Sequence, residues 1–179
     1  MAASTSVNGH HRQHTLVALL EDEPGALNRV VSLFRARGFN ISSMTVGPTE
    51  TAHLSRLTLV VDADDKMLEQ ITKQLYKVVE VLKVSDLSED KVVVRELALI
   101  KVSCNAQTRS EIMQMADIYR AKIVDAASDS VIVECTGEED KVDSLISLLR
   151  RFGIKEISRT GRVAMLRGVS GATRVADDE

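Results

Sequence analysis

The chain has 179 residues, 44% of them hydrophobic and 27% charged, which is typical of a soluble globular protein with one large domain or two small ones. Its net charge of -3 disfavours nonspecific nucleic-acid binding, because such binding needs a basic face. No apolar stretch approaches the ~20 residues of a membrane span, and the first residues lack the pattern of a secretory signal. Since Cys104 and Cys135 are too few for a disulfide scaffold, we expect a reduced, cytoplasmic protein.

The first half of the chain predicts one β-α-β-β-α-β domain over residues 14–88. Residues 1–13 are polar and are expected to form a disordered tail. Apolar periodicity and turn residues predict, in order, strand 14–21, helix 24–37, strand 39–47, strand 54–61, helix 66–77 and strand 78–87. Gly38 is expected to end the first helix, and the acids at 62, 64 and 65 to cap the second. This order is typical of the ferredoxin-like fold, in which both helices cover one face of a four-stranded antiparallel sheet.

The second half repeats the pattern after a short polar linker, so residues 92–168 predict a second β-α-β-β-α-β domain. Its predicted elements are strand 92–104, a helix from Thr108, strands 121–127 and 130–136, helix 137–152, and strands 154–159 and 163–166. A capping box from Thr108 to Glu111 is expected at the start of the first of these helices. Residues 169–179 are expected to form a flexible tail. The predicted fold class is therefore α+β, with two ferredoxin-like domains related by a degenerate duplication.

No sequence motif for catalysis is present. The chain lacks a Gly-x-Ser-x-Gly elbow, a phosphate-binding loop, a dinucleotide fingerprint and a cysteine nucleophile with a partner histidine. An RNA-recognition domain would need aromatic residues on its central strands, and the predicted central strands have none. An acylphosphatase-like site is disfavoured because Asp22 and Glu23 would repel a phosphate. We therefore expect no active site on this chain and argue its function from another kind of site.

The loop after the first strand has the most distinctive chemistry in the chain. Pro24 fits the first turn of a helix, and Gly25 and Ala26 leave that helix N-terminus without side-chain bulk. Unpaired N–H groups and the helix dipole suit a carboxylate, while Asp22 and Glu23 suit an ammonium group. The loop is therefore compatible with a site for a free amino acid. Most capped turns bind nothing, however, so the loop alone favours a purely structural interpretation.

The segment LLEDEPGALNRV at 19–30 resembles the first loop and helix of an ACT domain, a small amino-acid sensor. The segments RGFNISSMTV at 37–46, LSRLT at 54–58 and LEQITKQLYKV at 68–78 narrow this resemblance. Together with REL at 95–97 and SRTG at 158–161, they make residues 14–168 similar to the small regulatory subunit of acetohydroxyacid synthase, also called acetolactate synthase. The resemblance implies an N-terminal ACT domain that binds an effector and a degenerate ACT-like C-terminal domain.

This resemblance implies a regulatory role. In the family, the small subunit raises the activity of a large catalytic subunit and confers feedback inhibition, usually by valine, on branched-chain amino-acid biosynthesis. Thiamine diphosphate, Mg and FAD are expected on the catalytic partner, and no cofactor is expected on this chain. No nucleic-acid or membrane partner is expected. The alternative is a stand-alone ACT-type amino-acid sensor that regulates a different partner.

The resemblance also implies where the effector binds. In the family, it lies between two ACT domains that form a homodimer side by side through the second strand. The implied contacts are Asp22, Glu23, Pro24, Gly25, Ala26 and Leu27 of one chain and Asn40 and Ile41 of the other. Candidates of second rank near the site are Asn28, Gly47 and Gln70.

Each of these residues has an implied role and an alternative one. The N–H groups around Gly25 would bind the carboxylate, Asp22 and Asn40 would orient the polar end, and Leu27 and Ile41 would line the side-chain pocket. Because one methylene group changes the binding free energy by only about 1–3 kcal/mol, leucine or isoleucine is expected to bind in addition to valine. Asp22, where many relatives have Asn, would pair with the ammonium group or with a metal ion, and both remain open. Alternatively, Asn40 is only a strand-start residue, and Leu27 and Ile41 are ordinary core.

Overall fold

The computed structural model describes residues 12–168, which divide into two compact units. Unit 1 comprises the chain up to Val93 together with the segment from Ala164, and unit 2 comprises Val94–Val163. The predicted C-terminal tail, 169–179, lies outside the described residues, as does the predicted N-terminal tail up to residue 11. Arg12 and Gln13, which were predicted to belong to that tail, form the start of the first strand.

Unit 1 contains the predicted β-α-β-β-α-β order. Its elements are β1 (Arg12–Glu21), α1 (Ala26–Arg37), β2 (Ile41–Pro48), β3 (Leu54–Ala63), α2 (Asp65–Leu75) and β4 (Val81–Asp86). The strands form an antiparallel sheet in the order β2-β3-β1-β4, so β2 and β4 are its edges. Strand β1 is apolar on both faces and is buried from His14 to Leu20, as expected for a central strand.

The core of unit 1 lies between its two helices and one face of this sheet. It contains Leu16, Ala18 and Leu20 of β1, alternate residues of β3, Val30 and Phe34 of α1, and Ile71 and Leu75 of α2. Aliphatic side chains dominate because only 3% of the residues are aromatic. Phe34 and Phe39 make an edge-to-face contact with their ring centroids 5.8 Å apart. The amphipathic stripes of α1 and α2 therefore pack on the sheet as their periodicity predicts.

The ends of the helices in unit 1 confirm two predictions and correct one. Gly38 ends α1 in the left-handed conformation, with φ of 68°, and the side chain of Asp64 accepts a hydrogen bond from the Met67 N–H at 2.7 Å to cap α2. The prediction that Pro24 belongs to the first turn of α1 is wrong. Gly25 has φ of 90°, which a right-handed helix cannot include, so α1 begins at Ala26.

Unit 2 has its own sheet and its own core. The elements of this half of the chain are β5 (Val92–Ser103), α3 (Arg109–Ile118), β6 (Lys122–Ala126), β7 (Ser130–Gly137), α4 (Glu139–Leu149), a 3₁₀ turn (Arg150–Phe152), β8 (Ile154–Arg159) and β9 (Val163–Leu166). The strand order is β6-β7-β5-β8, and β9 also pairs with β5. The core includes both free cysteines, and burial raises the pKa of the Cys135 thiol. Two antiparallel sheets, each with two helices, confirm the predicted α+β class of two ferredoxin-like domains.

The capping box predicted at Thr108 and Glu111 is wrong. The side chain of Thr108 caps no helical N–H. Instead, Asn105 Oδ1 accepts from the N–H groups of Gln107 and Thr108 at 2.9 Å, while Thr108 Oγ1 accepts from the N–H of Asn105 at 3.0 Å. The reciprocal capping pair is therefore Asn105 with Thr108, three residues earlier than predicted.

The two short motifs at 95–97 and 158–161 meet in unit 2. Leu97 and Thr160 are joined by a backbone hydrogen bond of 3.0 Å and by a bond of 3.1 Å from the Leu97 N–H to Thr160 Oγ1. Arg159 pairs with the buried carboxylate of Glu96 and, at 2.7 Å, with Asp143 of α4. Burial alone would lower the pKa of Arg159, but the hydrogen bonds and charges of Glu96 and Asp143 raise it. The two motifs therefore join β5 to the end of β8, and Arg159 links both of these strands to α4.

Candidate functional site

Hydrogen bonds to neighbouring elements fix the loop between β1 and α1. The Glu21 N–H donates to the carbonyl of Glu80 at 2.9 Å, and the Asp22 N–H donates to the carbonyl of His53 at 2.8 Å. The Ser55 hydroxyl donates to Asp22 Oδ1 at 3.3 Å. His53 itself has φ of 63°, a left-handed conformation that is uncommon for a residue with a side chain. The loop is thus anchored at its start to two segments that are distant in sequence.

The end of the loop leaves N–H groups unpaired at the start of α1. The Ala26 N–H donates to the Glu23 carbonyl at 3.1 Å and closes a turn, and the Arg29 N–H donates to the Gly25 carbonyl at 3.0 Å. Within residues 12–168, the N–H groups of Gly25, Leu27 and Asn28 have no acceptor. The Ala26 N–H, which was expected to face the effector, is therefore occupied. Asn28, predicted only as a candidate of second rank, supplies one of the three N–H groups that remain.

The first turn of α1 contains no group that competes for these N–H groups. The first turn of α1 contains no acidic residue, and no side chain caps the helix. A Cβ atom built on Gly25 would meet nothing within 4 Å, so the space beside this residue is open. Unpaired N–H groups at a helix N-terminus carry partial positive charge, which suits a carboxylate. Glu23 and Pro24 are exposed beside this space, Ala26 is buried, and Leu27 is half-buried against the core of unit 1.

Asn40 and Ile41 lie at the opposite end of the sheet from this loop. Ile41 pairs with Val61 of β3, which in turn pairs with His14 of β1. His14 is seven residues along β1 from Glu21, so the two predicted halves of the site are about 23 Å apart at a rise of ~3.3 Å per residue. Asn40 is exposed, and Ile41 is partly buried against the core of unit 1. One copy of the chain therefore does not bring the two halves together.

Two further candidates lie on separate elements. Gly47 pairs with Arg56 near the C-terminal end of β2, which is the end of the sheet that carries the β1–α1 loop. Gln70 is exposed on α2. Gly47 therefore lies at the same end of the sheet as the β1–α1 loop. No contact in the described part of the chain links Gln70 to the loop.

Sequence reasoning missed Glu80, which contacts both ends of the loop. Its carbonyl binds Glu21, and its carboxylate forms a 2.5 Å ion pair with Arg29 in the first turns of α1. The side chain of Glu80 is only 8% exposed, against 57% for Arg29. A backbone hydrogen bond and the charge of Arg29 lower the pKa of Glu80, against the effect of burial. The only signal in the sequence is an acid inside the apolar run Val78–Leu82.

Residues 12–168 contain no group of three or more His, Cys, Asp or Glu side chains that could hold a metal ion. None of the helices in this range is long and apolar enough to cross a membrane.

The two β-α-β-β-α-β units, with an unpaired helix N-terminus after the first strand, define an ACT-type regulatory chain. Residues 16–83 match the family model for the ACT domain of acetohydroxyacid-synthase small subunits, and residues 95–168 match the model for the small subunit of acetolactate synthase. The chain therefore belongs to the family of acetolactate synthase small subunits, and the resemblance found in its sequence is confirmed.

Individual relatives agree with this assignment along nearly the whole chain. The probable acetolactate synthase small subunit of Archaeoglobus fulgidus is 54% identical over 156 residues, which is 87% of this chain and 98% of that protein. The acetolactate synthase small subunit of Mycolicibacterium smegmatis is 49% identical over 158 residues, or 88% and 93% of the two chains. The crystal structure of the acetolactate synthase small subunit from Thermotoga maritima has a TM-score of 0.82 and 47% identity, and the match covers 88% of this chain and 99% of that one. Family membership makes this a regulatory chain and implies a large catalytic subunit as its partner.

Proposed function

We propose that this chain activates the large catalytic subunit of acetolactate synthase and confers feedback inhibition by a branched-chain amino acid, with valine as the first candidate. The observation that carries the proposal is the start of α1, where three N–H groups are unpaired and no acid or side-chain cap competes for them. The proposal also fits the family to which the chain belongs.

The effector binds with its carboxylate on the N–H groups of Gly25, Leu27 and Asn28. Asp22 has one carboxylate oxygen on Ser55, and its exposed side chain is available to the ammonium group of the ligand. A metal ion at Asp22 is the competing interpretation. Titration of the effector with and without a chelator separates the two, since only metal-assisted binding weakens when the metal is removed.

The site is completed by a second copy of the chain. Asn40 and Ile41 are about 23 Å from the loop within one copy, too far to touch the same amino acid. If two β2 edges pair in antiparallel fashion about a twofold axis, the N-terminal end of one β2 lies beside the C-terminal end of the other. That end of the sheet carries Gly47 and the β1–α1 loop. Asn40 and Ile41 of the second copy would then face the start of α1, and dimerisation becomes a condition for binding.

Two measurements test this function. The full chain is titrated with valine, leucine and isoleucine by calorimetry, and we expect saturable binding with about one effector site per chain in a dimer. The chain is then mixed with a thiamine-diphosphate-dependent large subunit, and we expect higher acetolactate production that valine suppresses. A chain that binds an amino acid but leaves the turnover of the large subunit unchanged would favour the stand-alone sensor instead. Acetolactate production by the chain alone would contradict the regulatory assignment.

A further inference from the structure

Glu80 holds the β1–α1 loop at both of its ends. Its main-chain carbonyl accepts the N–H of Glu21 at 2.9 Å, where the loop leaves the sheet. Its carboxylate pairs at 2.5 Å with Arg29, where the loop has become helix. The Arg29 N–H also donates to the carbonyl of Gly25 at 3.0 Å, so Arg29 is bonded to the left-handed residue before the helix. Glu80 therefore contacts the turn both where it leaves the sheet and where it enters the helix, in addition to the bond from the Asp22 N–H to the His53 carbonyl.

The Glu80–Arg29 pair is poorly suited to a purely stabilising role. Within the described residues, Glu80 Oε2 is buried and has no hydrogen-bond partner. A buried carboxylate oxygen without a donor is unfavourable, and an apolar residue at this position would avoid that penalty. Glu80 is buried but Arg29 is largely exposed, and ion pairs that are open to solvent add little stability, whereas locally unfavourable groups concentrate at functional sites. The location of this pair beside the candidate effector site points to a role in binding.

We propose that Glu80 is a positioning residue for effector binding, which acts through Arg29 to fix the direction of the N–H groups at the start of α1. This inference rests on the proposed effector site. Glu80 does not touch the ligand. Its contribution is to prevent the first turn of α1 from tilting away from β4, because a tilt would spread the three N–H groups that converge on the carboxylate. Preorganised donors bind more tightly because the ligand does not have to order them.

The test uses the full chain and calorimetry with L-valine. Glu80→Gln keeps the shape of the side chain and removes its charge, and Arg29→Gln removes the other partner. We expect each variant to weaken valine binding by on the order of tenfold. The double variant should be no worse than either single variant, because both changes break one contact. The ratio of valine to leucine affinity should stay unchanged, since neither residue lines the side-chain pocket.

A matched control comes from unit 2. Arg151 and Glu111 form a carboxylate–guanidinium pair in which both side chains are about half exposed, so Glu111→Gln removes an ion pair away from the loop and should leave valine affinity unchanged. Valine affinities of Glu80→Gln and Arg29→Gln equal to that of the wild type would overturn the inference. The inference would also be overturned if valine binding fell only in proportion to the folded fraction measured by circular dichroism. If Glu80→Gln fails to fold, the exposed Arg29→Gln variant still gives the answer.

The effector-free protein separates this inference from the proposed function. If Glu80 orients the turn, Glu80→Gln shifts the backbone amide resonances of Gly25, Leu27 and Asn28 without any ligand. Unchanged resonances would overturn the inference even if valine binds normally. If the wild-type chain binds no amino acid, the proposed function fails, while the amide resonances still decide whether Glu80 orients the loop.

Discussion

The hydroxyl of Tyr76 lies against both main-chain groups of Val84 on edge strand β4. It accepts from the Val84 N–H at 3.1 Å and donates to the Val84 carbonyl at 3.2 Å. These are the groups that another strand would need in order to extend the sheet at this edge. The opposite edge, β2, is paired only with β3 among the described strands of unit 1. Tyr76 therefore occupies two of the main-chain groups that strand addition at β4 would need, which favours β2 as the edge for the proposed dimer.

Tyr76→Phe should open the β4 edge. The ring stays but both hydrogen bonds are lost, so we expect unfolding stability to fall by about 1 kcal/mol and species larger than a dimer to form at high concentration. Sedimentation velocity over a range of concentrations measures the second effect. Tyr119→Phe is the control, because it removes a hydroxyl that bonds Ser144 on a neighbouring helix at 2.6 Å. A mass distribution identical to that of the wild type would contradict the edge-blocking role.

Gly25→Asp should abolish feedback inhibition while the chain stays folded. The φ of 90° makes any side chain unfavourable by roughly 1–2 kcal/mol, but nothing lies within 4 Å of its Cβ. The new carboxylate occupies the N–H groups at the start of α1 and repels an anionic ligand. Gly153→Asp is the matched control, because it lies in unit 2 with φ of 89° and the nearest non-neighbouring atom to its added Cβ is Ser103 Oγ at 3.6 Å. It should lose similar stability and keep valine binding, and equal loss of binding in both variants would contradict the placement of the site.

The element order was predictable because its signals are local. Apolar runs mark the strands, Gly38 in its left-handed conformation ends α1, and Asp64 caps α2. Each of these signals lies within a few residues of the element that it defines. The resemblance to ACT domains also suggested that the loop and Asn40 belong to different copies of the chain. The register places them at opposite ends of the sheet within one chain, and a site shared between two copies stays a prediction.

The errors occur where distant segments decide the local geometry. The start of α1 depends on Glu80 and His53, which hold the loop from far along the chain and leave Gly25 left-handed. Asn105 rather than Thr108 caps α3, and it directly follows Cys104, whose N–H bonds the carbonyl of the distant residue Asp129 at 3.0 Å. The sequence predicted only the pattern from Thr108 to Glu111, and the pair of Asn105 with Thr108 became visible in the hydrogen bonds of the structure.

Asp129→Asn should make the chain less sensitive to acid. The hydrogen bond and charge of Lys155 lower the pKa of the Asp129 carboxyl. A carboxyl with a lower pKa in the folded state adds stability above its unfolded pKa of ~3.9 and loses that contribution as the pH falls through the folded pKa. Urea unfolding between about pH 2.5 and 7 measures the free energy of unfolding. Below pH ~4 this free energy should fall less steeply in the variant than in the wild type. Lys155→Met removes the group that lowers the pKa of Asp129, so its stability should also depend less on pH. Identical pH dependence of stability in the wild type and both variants would contradict a role for the Asp129–Lys155 pair.

Asn40→Ala should weaken effector binding without unfolding the chain. Asn40 is exposed and precedes β2, so truncating it removes no core contact. If its amide orients the polar end of an effector held by the second copy, losing that hydrogen bond weakens binding by about 0.5–1.5 kcal/mol, or roughly two- to tenfold. Calorimetry with valine measures this loss, and sedimentation verifies that the dimer persists. Asn105→Ala is the control, since it removes the cap of α3 and lowers stability by about 1 kcal/mol without contacting the effector loop. Full valine affinity in Asn40→Ala, with the dimer intact, would rule out a site shared between two copies at this residue.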